Sequence, residues 1–189
     1  MWLLKRHSRG FYLCFVLLLA LAVGGSALTY ADSGTASTRI KGGSLTESHA
    51  TNHVKLKLSK KMSMASYTLP ITIKDARGSG KGWNLMITST TFQLEDNNKY
   101  LPANASRIVG VSIACGAKST CLSPVNSISY PLIVPAGVKP PTPVKFFDAA
   151  LYSGMGRFQL TMMVNVNIPQ NTQAGTYTST LTLSIANGP

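Results

Sequence analysis

The chain is poor in the side chains that carry most enzyme and metal chemistry. Its 189 residues include six acidic side chains, three histidines and three cysteines. General acid–base catalysis and metal binding both depend on such groups at close spacing. Their scarcity disfavours a hydrolase or a metalloprotein, so we expect a protein that is not an enzyme and that has no cofactor.

Two short patterns that could suggest a ligand site are weak. His49 and His53 are four residues apart, but they lie in a polar segment with no cysteine nearby, which disfavours a metal site. The glycine-rich run 77–82 lacks both the full spacing of a phosphate-binding loop and the Ser or Thr that follows its lysine. A strand pattern rather than a helix follows the run. We therefore interpret it as a loose hairpin turn.

Long apolar runs are also rare, and the most apolar part of the chain is 11–23. Three basic residues precede this run, and small residues follow it up to Ala31. That order is typical of a secretory signal peptide. We predict a signal peptide over 1–31 with cleavage after Ala31, and cleavage after Ala27 as the second choice. The alternative is an uncleaved membrane anchor; after cleavage we expect no membrane span.

The secreted chain is predicted to consist of a leader and one domain. Residues 32–52 are small, polar and aperiodic, which is typical of a flexible leader, and 53–189 form the domain. Because three of the 18 basic side chains are lost with the signal peptide, 15 basic and 6 acidic side chains remain, a formal charge of +9. Such an excess points to an anionic partner.

Two cysteines remain in the secreted chain, Cys115 and Cys121. In an oxidising compartment we expect them to form a disulfide that closes a small surface loop. A metal pair is the alternative, but no cysteine or histidine lies nearby to complete it. Because the loop is short, the disulfide would stabilise the fold by only about 2 kcal/mol.

Strand patterns dominate the domain. Residues 54–58 alternate apolar and basic side chains with the period of two of a half-buried strand. The sequence predicts further strands at 67–73, 83–88, 108–114, 158–168 and 176–185. Pro70 indicates an edge or a bend, and only 136–152 leaves room for a short helix. Strands at this spacing predict an all-β protein, an antiparallel immunoglobulin-like β-sandwich with one short disulfide-closed loop.

Positive charge is concentrated on and after the first predicted strand. Lys55 and Lys57 would point to the solvent face of that strand, and Lys60 and Lys61 follow directly. A positive surface attracts polyanions, here an anionic wall polymer or a membrane surface. Nucleic acid is not an expected partner of an exported chain. The alternative is that the lysines serve solubility and protect a strand edge.

Two segments of the domain carry a distinctive sequence motif. Asp75-Ala76-Arg77-Gly78 is followed, after further glycines, by Trp83-Asn84-Leu85. This arrangement resembles the first signature of the WxL-domain family of bacterial cell-surface proteins. The terminal segment, with Ala174-Gly175-Thr176-Tyr177 and Asn187-Gly188-Pro189, resembles its end. In the family this last strand usually carries a second Trp-x-Leu, where this chain has Leu183-Ser184-Ile185. The likeness covers about 55–189.

The resemblance implies a β-sandwich exported by a Gram-positive bacterium and held noncovalently at its cell wall. The implied partners are peptidoglycan or an associated anionic polymer, and possible companion cell-surface proteins. The candidate ligand-binding residues are Trp83, Leu85, Leu183, Ile185, Lys55 and Lys57. A structural role in the core is the alternative for the motif, since Trp83 and Leu85 share one face of a strand.

A second functional hypothesis belongs to a different class. The chain would then be a structural or assembly subunit that binds itself or companion surface proteins. Strands such as 158–168 could add across an exposed sheet edge, because an edge strand presents unpaired backbone groups to another chain.

Overall fold

The computed structural model describes residues 42–47 and 51–189. The predicted signal peptide, most of the predicted leader and His49 lie outside the described residues. No helix of a length and apolarity suited to crossing a membrane occurs in the part that is described. The described strands are β1 Leu45–Glu47, β2 Thr51–Leu58, β3 Met64–Asp75, β4 Trp83–Thr90, β5 Gln93–Leu94, β6 Ser106–Cys115, β7 Cys121–Leu122, β8 Leu132–Ile133, β9 Ala136–Gly137, β10 Val144–Ala149, β11 Met155–Asn167 and β12 Gly175–Asn187.

These strands form two sheets. The first sheet has the order β1-β3-β11-β6-β8, with β7 also paired to β11. The second has the order β10-β4-β12-β2, with β5 paired to β12 and β9 to β4. Among the described strands, all pairs are antiparallel except β4 with β9. The predicted all-β antiparallel sandwich is therefore confirmed.

Alternation of side chains along the long strands explains why the two sheets pack face to face. Every second residue of β11 from Phe158 to Val166 is at most 1% exposed, and Tyr177, Leu181 and Leu183 of β12 are at most 2% exposed. These residues belong to one hydrophobic cluster. Burial of each large apolar side chain contributes about 1.5–3 kcal/mol, so this shared core is the main source of stability.

The disulfide prediction is confirmed. Cys115 and Cys121 are bonded, with 5.8 Å between their Cα atoms. The bond closes the loop between β6 and β7, and both of these strands pair with β11. It therefore fixes a surface loop beside the first sheet rather than joining the two sheets.

The folded region begins earlier than the sequence pattern indicated. β1 and the first two residues of β2 lie within 32–52, the range interpreted as a flexible leader. Leu45–Glu47 pairs with the end of β3 at 73–75. A three-residue strand has too few alternating positions to be recognised, which is why the pattern missed it.

Three further expectations are corrected by the topology. The run 77–82 is not a hairpin turn, because β3 and β4 belong to different sheets. The segment 136–152 contains β9 and β10 and no helix, which agrees with the prolines at 140, 141 and 143. The predicted strand 158–168 is central rather than exposed, since β11 pairs with β3 on one side and β6 on the other.

Candidate functional site

The Asp-x-Arg-Gly segment at the end of β3 forms a buried ion pair. Asp75 is 3% exposed. Arg77 donates from Nη2 to Asp75 Oδ2 at 2.8 Å and from Nε to Oδ1 at 2.9 Å. The Arg77 backbone N–H also donates to Oδ1, at 3.1 Å. Two parallel bonds between guanidinium and carboxylate fix both orientation and distance, so this pair holds the chain where it leaves the first sheet.

The same guanidinium joins the first sheet to the second. Arg77 Nη2 donates to the carbonyl oxygen of Gly82, just before β4, at 2.7 Å. Its Nη1 donates to Asn187 Oδ1, at the end of β12, at 2.5 Å. Arg77 therefore connects the end of β3 and the start of β4 with the end of β12, which lies 110 residues further along the chain.

A second set of bonds ties the terminal segment to β4. Asn84 Nδ2 donates to the carbonyl oxygen of Gly188 at 2.9 Å, and the Gly188 N–H donates to the carbonyl oxygen of Gly82 at 3.3 Å. The two halves of the sequence signature thus meet at one end of the sandwich. We call this the motif cluster, defined as Asp75, Arg77, Gly82, Trp83, Asn84, Asn187 and Gly188.

The protonation of the ion pair follows from two opposing effects. Burial alone raises the pKa of Asp75, but the hydrogen bonds and positive charge of Arg77 outweigh it, and the pKa lies below its usual value. The hydrogen bonds to Asp75 in turn raise the pKa of Arg77. Both groups are therefore charged at neutral pH, and neither is poised for proton transfer.

Trp83 is the centre of the motif cluster and is fully buried, with 0% exposure. Its ring centroid lies 5.7 Å from that of Phe147 in β10 and 6.4 Å from that of Phe158 in β11. Its Nε1 donates to the carbonyl oxygen of Gly154 at 2.8 Å. The indole thus contacts both sheets and has its only polar group satisfied, which is the arrangement of a core residue.

Gly154 makes room for that indole, and the sequence pattern did not single it out. It has φ +68°, and a Cβ there would lie 2.7 Å from Trp83 Nε1. A side chain at this position would be strained by the backbone and would collide with the ring. A glycine some seventy residues away carries no signal in a pattern search, so only the structure reveals this dependence.

The other apolar candidates also lie in or beside the core. Leu85 is 0% exposed and Leu183 is 2% exposed, while Ile185 is half-buried. Ile185 lies opposite Leu85 in the pairing of β12 with β4. Leucine at 183 fills the interior at the position where the resemblance leads us to expect tryptophan. A side chain without exposed surface offers nothing for a ligand to contact, so burial favours the structural interpretation of Trp83, Leu85 and Leu183.

The two candidate lysines are exposed and lie elsewhere. Lys55 and Lys57 alternate with the buried Leu56 and Leu58 on β2, which confirms their position on the solvent face. They pair with β12 at Thr178 and Thr176, whereas the motif cluster contacts the far end of that strand. The structure therefore does not bring these lysines together with Trp83.

Lys55 has one ionic partner. Its Nζ lies 2.9 Å from Glu95 Oε1, with the two side chains 69% and 37% exposed. A pair this accessible to water contributes at most about 1 kcal/mol, so it would yield readily to a polyanion. Within the described residues, no group of three or more His, Cys, Asp or Glu side chains is placed to hold a metal ion.

Comparison with known proteins identifies one family. Residues 34–189 match the family model of the WxL domain, which is described as surface cell wall-binding. The family is thus one of binding domains. No curated protein and no solved structure matches the chain.

Proposed function

The chain belongs to the WxL-domain family of surface cell wall-binding domains, and from this premise we propose that it is secreted by a Gram-positive bacterium and held noncovalently at the wall. The attachment is to peptidoglycan or to an anionic polymer associated with it. The domain binds without catalysing a reaction, and the motif cluster serves the fold rather than the ligand.

The observation that carries the anionic part of this proposal is the asymmetry of surface charge. Two carboxylates, Asp75 and Asp148, are buried at 3% and 4% exposure. Asp148 accepts bonds from the N–H and hydroxyl of Ser127 at 2.7 and 2.6 Å, so it adds little to the outer surface. The exposed lysines of the described residues are Lys55, Lys57, Lys60, Lys61, Lys74, Lys81, Lys99, Lys118 and Lys139.

A surface of this kind attracts a polyanion through many weak contacts. Each contact releases counterions from the polymer, so the affinity falls as the salt concentration rises. Exposed charges further apart than about 8 Å are largely screened at physiological salt. Attachment by charge alone would therefore be reversible, and a specific contact elsewhere on the domain would be needed to resist high salt.

The assembly hypothesis receives less support from the sheet edges. The outer side of β10 is covered, because Asn126 Oδ1 accepts the Asp148 N–H at 2.9 Å and the Tyr130 hydroxyl donates to the Phe146 carbonyl at 2.7 Å. β2 is an edge strand with lysines on its solvent face, and lysines on an edge oppose strand addition. Wall attachment is the better supported of the two functions.

A wall-binding experiment tests the proposal. Purified protein is incubated with Gram-positive cell walls, before and after chemical removal of their anionic polymers, across a salt series. We expect the protein to sediment with intact walls at low salt and to be partly released by salt and by polymer removal. Full binding to stripped walls would assign the attachment to peptidoglycan itself. Absence of binding at low salt would contradict wall attachment, and concentration-dependent sedimentation of the protein alone would then favour assembly.

A further inference from the structure

A polar cleft opens on the outer face of the second sheet, at the opposite end of β4 from the motif cluster. Its volume is about 280 Å³, near the lower limit for small-molecule sites. The cleft lies between β12, the turn that follows β4, and the side chain of Tyr100. The residues that matter for its chemistry are His53, Thr90, Thr91, Gln93, Tyr100 and Thr180.

The floor of the cleft is held by internal hydrogen bonds. Ser179 Oγ donates to the carbonyl oxygen of Thr90 at 2.6 Å, and Thr90 Oγ1 accepts the Thr180 N–H at 2.8 Å. The Thr91 N–H donates to the carbonyl oxygen of Gly137 at 2.9 Å. These bonds fix the backbone where β4 separates from β12. A cleft with a fixed floor loses little conformational freedom when a ligand binds.

One polar atom of the cleft has no partner in the structure. Thr91 Oγ1 is buried and makes no hydrogen bond. A buried hydroxyl left unpaired destabilises a protein, so its presence needs an explanation. Because Thr91 Oγ1 has no accessible surface, as is also true of the unpaired Asn84 Oδ1 in the motif cluster, a ligand in the cleft supplies the missing bond only when the Thr91 side chain rotates its hydroxyl toward the cleft.

The chemistry of the lining selects the class of ligand. In the described part of the chain, the side chains that line the cleft are hydroxyls, an amide, an imidazole, a phenol and one valine, with no permanent charge. Tyr100 is 44% exposed and Val138 is 74% exposed, so an aromatic and an apolar surface stand beside the polar groups. A sugar ring has this same combination, with hydroxyls around its rim and C–H groups on its faces.

We propose that this cleft binds one neutral sugar ring of a wall glycan, with the ring against Tyr100 and a ring hydroxyl bonded to Thr91 Oγ1 after rotation of that side chain toward the cleft. The inference rests on the proposed wall attachment for the source of the sugar. The cleft supplies the specific, salt-resistant contact that the lysines cannot. The cleft also adjoins the lysines of β2. In the pairing of β2 with β12, Lys55 lies opposite Thr178 and His53 lies opposite Thr180, and both threonines line the cleft.

The test follows backbone amide signals of the purified protein by NMR during titration with a neutral glycan, N,N′,N″-triacetylchitotriose, and separately with polyphosphate. We expect saturable shifts from the trisaccharide at 90–93, Tyr100 and 178–180. Polyphosphate should shift the amides of β2 and of the residues paired with its lysines, such as Thr178, but not those of Thr90, Thr91 or Tyr100. Cleft shifts caused by polyphosphate and not by the trisaccharide would overturn the assignment.

Two variants report on the contacts, and one serves as the matched control. Tyr100→Ala is expected to weaken trisaccharide binding roughly tenfold, the equivalent of one aromatic contact. Thr91→Val keeps the shape and removes the unpaired hydroxyl, so binding should fall while the melting temperature stays the same or rises. The control is Tyr152→Asn, because Tyr152 is 76% exposed at the other end of β4, and asparagine tolerates its φ of 60°. Equal losses in Tyr100→Ala and Tyr152→Asn would contradict a site in the cleft.

The two proposals fail in different ways. A protein that sediments with walls but shows no saturable trisaccharide shift keeps its wall attachment, and the sugar site is then wrong. A protein that binds the trisaccharide in the cleft but does not sediment with walls has a sugar site, and wall attachment is then wrong.

Discussion

The two ends of β4 differ in almost every physical respect. At its first residue the motif cluster has a buried centre, with Trp83 fully buried and the Asp75 carboxylate 2% exposed. At its last residue a polar cleft is open to solvent and contains a buried hydroxyl without a partner. With eight residues in the strand, the two regions are about 23 Å apart. Each end also holds one buried polar atom without a hydrogen-bond partner, Asn84 Oδ1 at the first and Thr91 Oγ1 at the last, so the two ends differ in exposure rather than in satisfied bonds. The first end packs as core, and the second is open to a ligand.

This difference shows why the sequence signature and the binding surface need not coincide. Residues of the motif cluster have several partners each: Arg77 contacts Asp75, Gly82 and Asn187. Few other side chains could satisfy such a set, so the cluster has a distinctive sequence. Hydroxyls and a phenol at the rim of a cleft can come from many sequences. The recognisable sequence motif therefore identifies residues that hold the fold together, whereas the residues that line the cleft have no recognisable motif.

The largest effect expected is from Trp83→Ala, which opens a cavity between the two sheets. Removal of a buried tryptophan destabilises a protein by about 3–5 kcal/mol. Here the change also leaves the Gly154 carbonyl oxygen without its donor. The free energy of unfolding is measured by denaturant titration, with Tyr152→Asn as the control change of an exposed aromatic residue.

Wall binding of Trp83→Ala should be lost only as the protein unfolds. If this variant kept wild-type stability and lost binding, the claim that the Trp83 end of β4 has only a structural role would be wrong. Tryptophan would then be a contact residue that becomes exposed when the ligand binds.

The next largest effect is expected from Asp75→Asn, which leaves the positive charge of Arg77 without its partner. Breaking a buried pair in this way costs about 3 kcal/mol. The folded pKa of Asp75 is lowered, so the pair stabilises the protein fully above the unfolded value of about 3.9 and loses this contribution as pH falls through the folded value. The difference in stability between wild type and Asp75→Asn should therefore shrink below about pH 4.

Glu95→Gln is the control for Asp75→Asn, because it removes an exposed carboxylate. It should change the unfolding free energy by less than about 1 kcal/mol at neutral pH. If it destabilised the protein as much as Asp75→Asn, the ion pair of the motif cluster would have no special structural role.

The sequence allows the fold class, the disulfide and the long strands to be predicted, because each leaves a local signal. Alternation identifies β2, and two cysteines in an exported chain pair with each other. The order of strands in each sheet, and the central position of β11, depend on contacts between distant segments and leave no such signal. The cleft also depends on distant contacts and leaves no local signal, since Tyr100 and Thr180 meet only when the turn after β4 folds against β12.

A moderate effect is expected from removal of the disulfide in the double variant Cys115→Ser/Cys121→Ser. The bonded cysteines are six residues apart, and a loop of this size stabilises the fold by about 2 kcal/mol. The loop lies beside the first sheet, near the motif cluster, since Gly156 pairs with Cys121 on one side and with Asp75 on the other, and it is away from the cleft at the last residue of β4. Stability should therefore fall while wall binding and trisaccharide binding stay at wild-type levels in folded protein, as checked by urea titration and sedimentation. Loss of binding at full stability would place a contact in this loop.

The smallest effect on stability is expected from the double variant Lys55→Gln/Lys57→Gln, because both side chains are exposed and Lys55 makes only a solvent-accessible pair. The unfolding free energy should change by less than about 1 kcal/mol. Binding to intact walls at low salt should weaken. The slope of log affinity against log salt concentration should fall in magnitude by up to about two, one for each lysine removed.

Lys74→Gln/Lys81→Gln carries the same change of charge at exposed positions outside β2 and away from the cleft, and is the control. If both double variants weaken binding equally, the wall responds to net charge alone. If only the β2 variant does, the lysines beside the cleft form one binding surface with it.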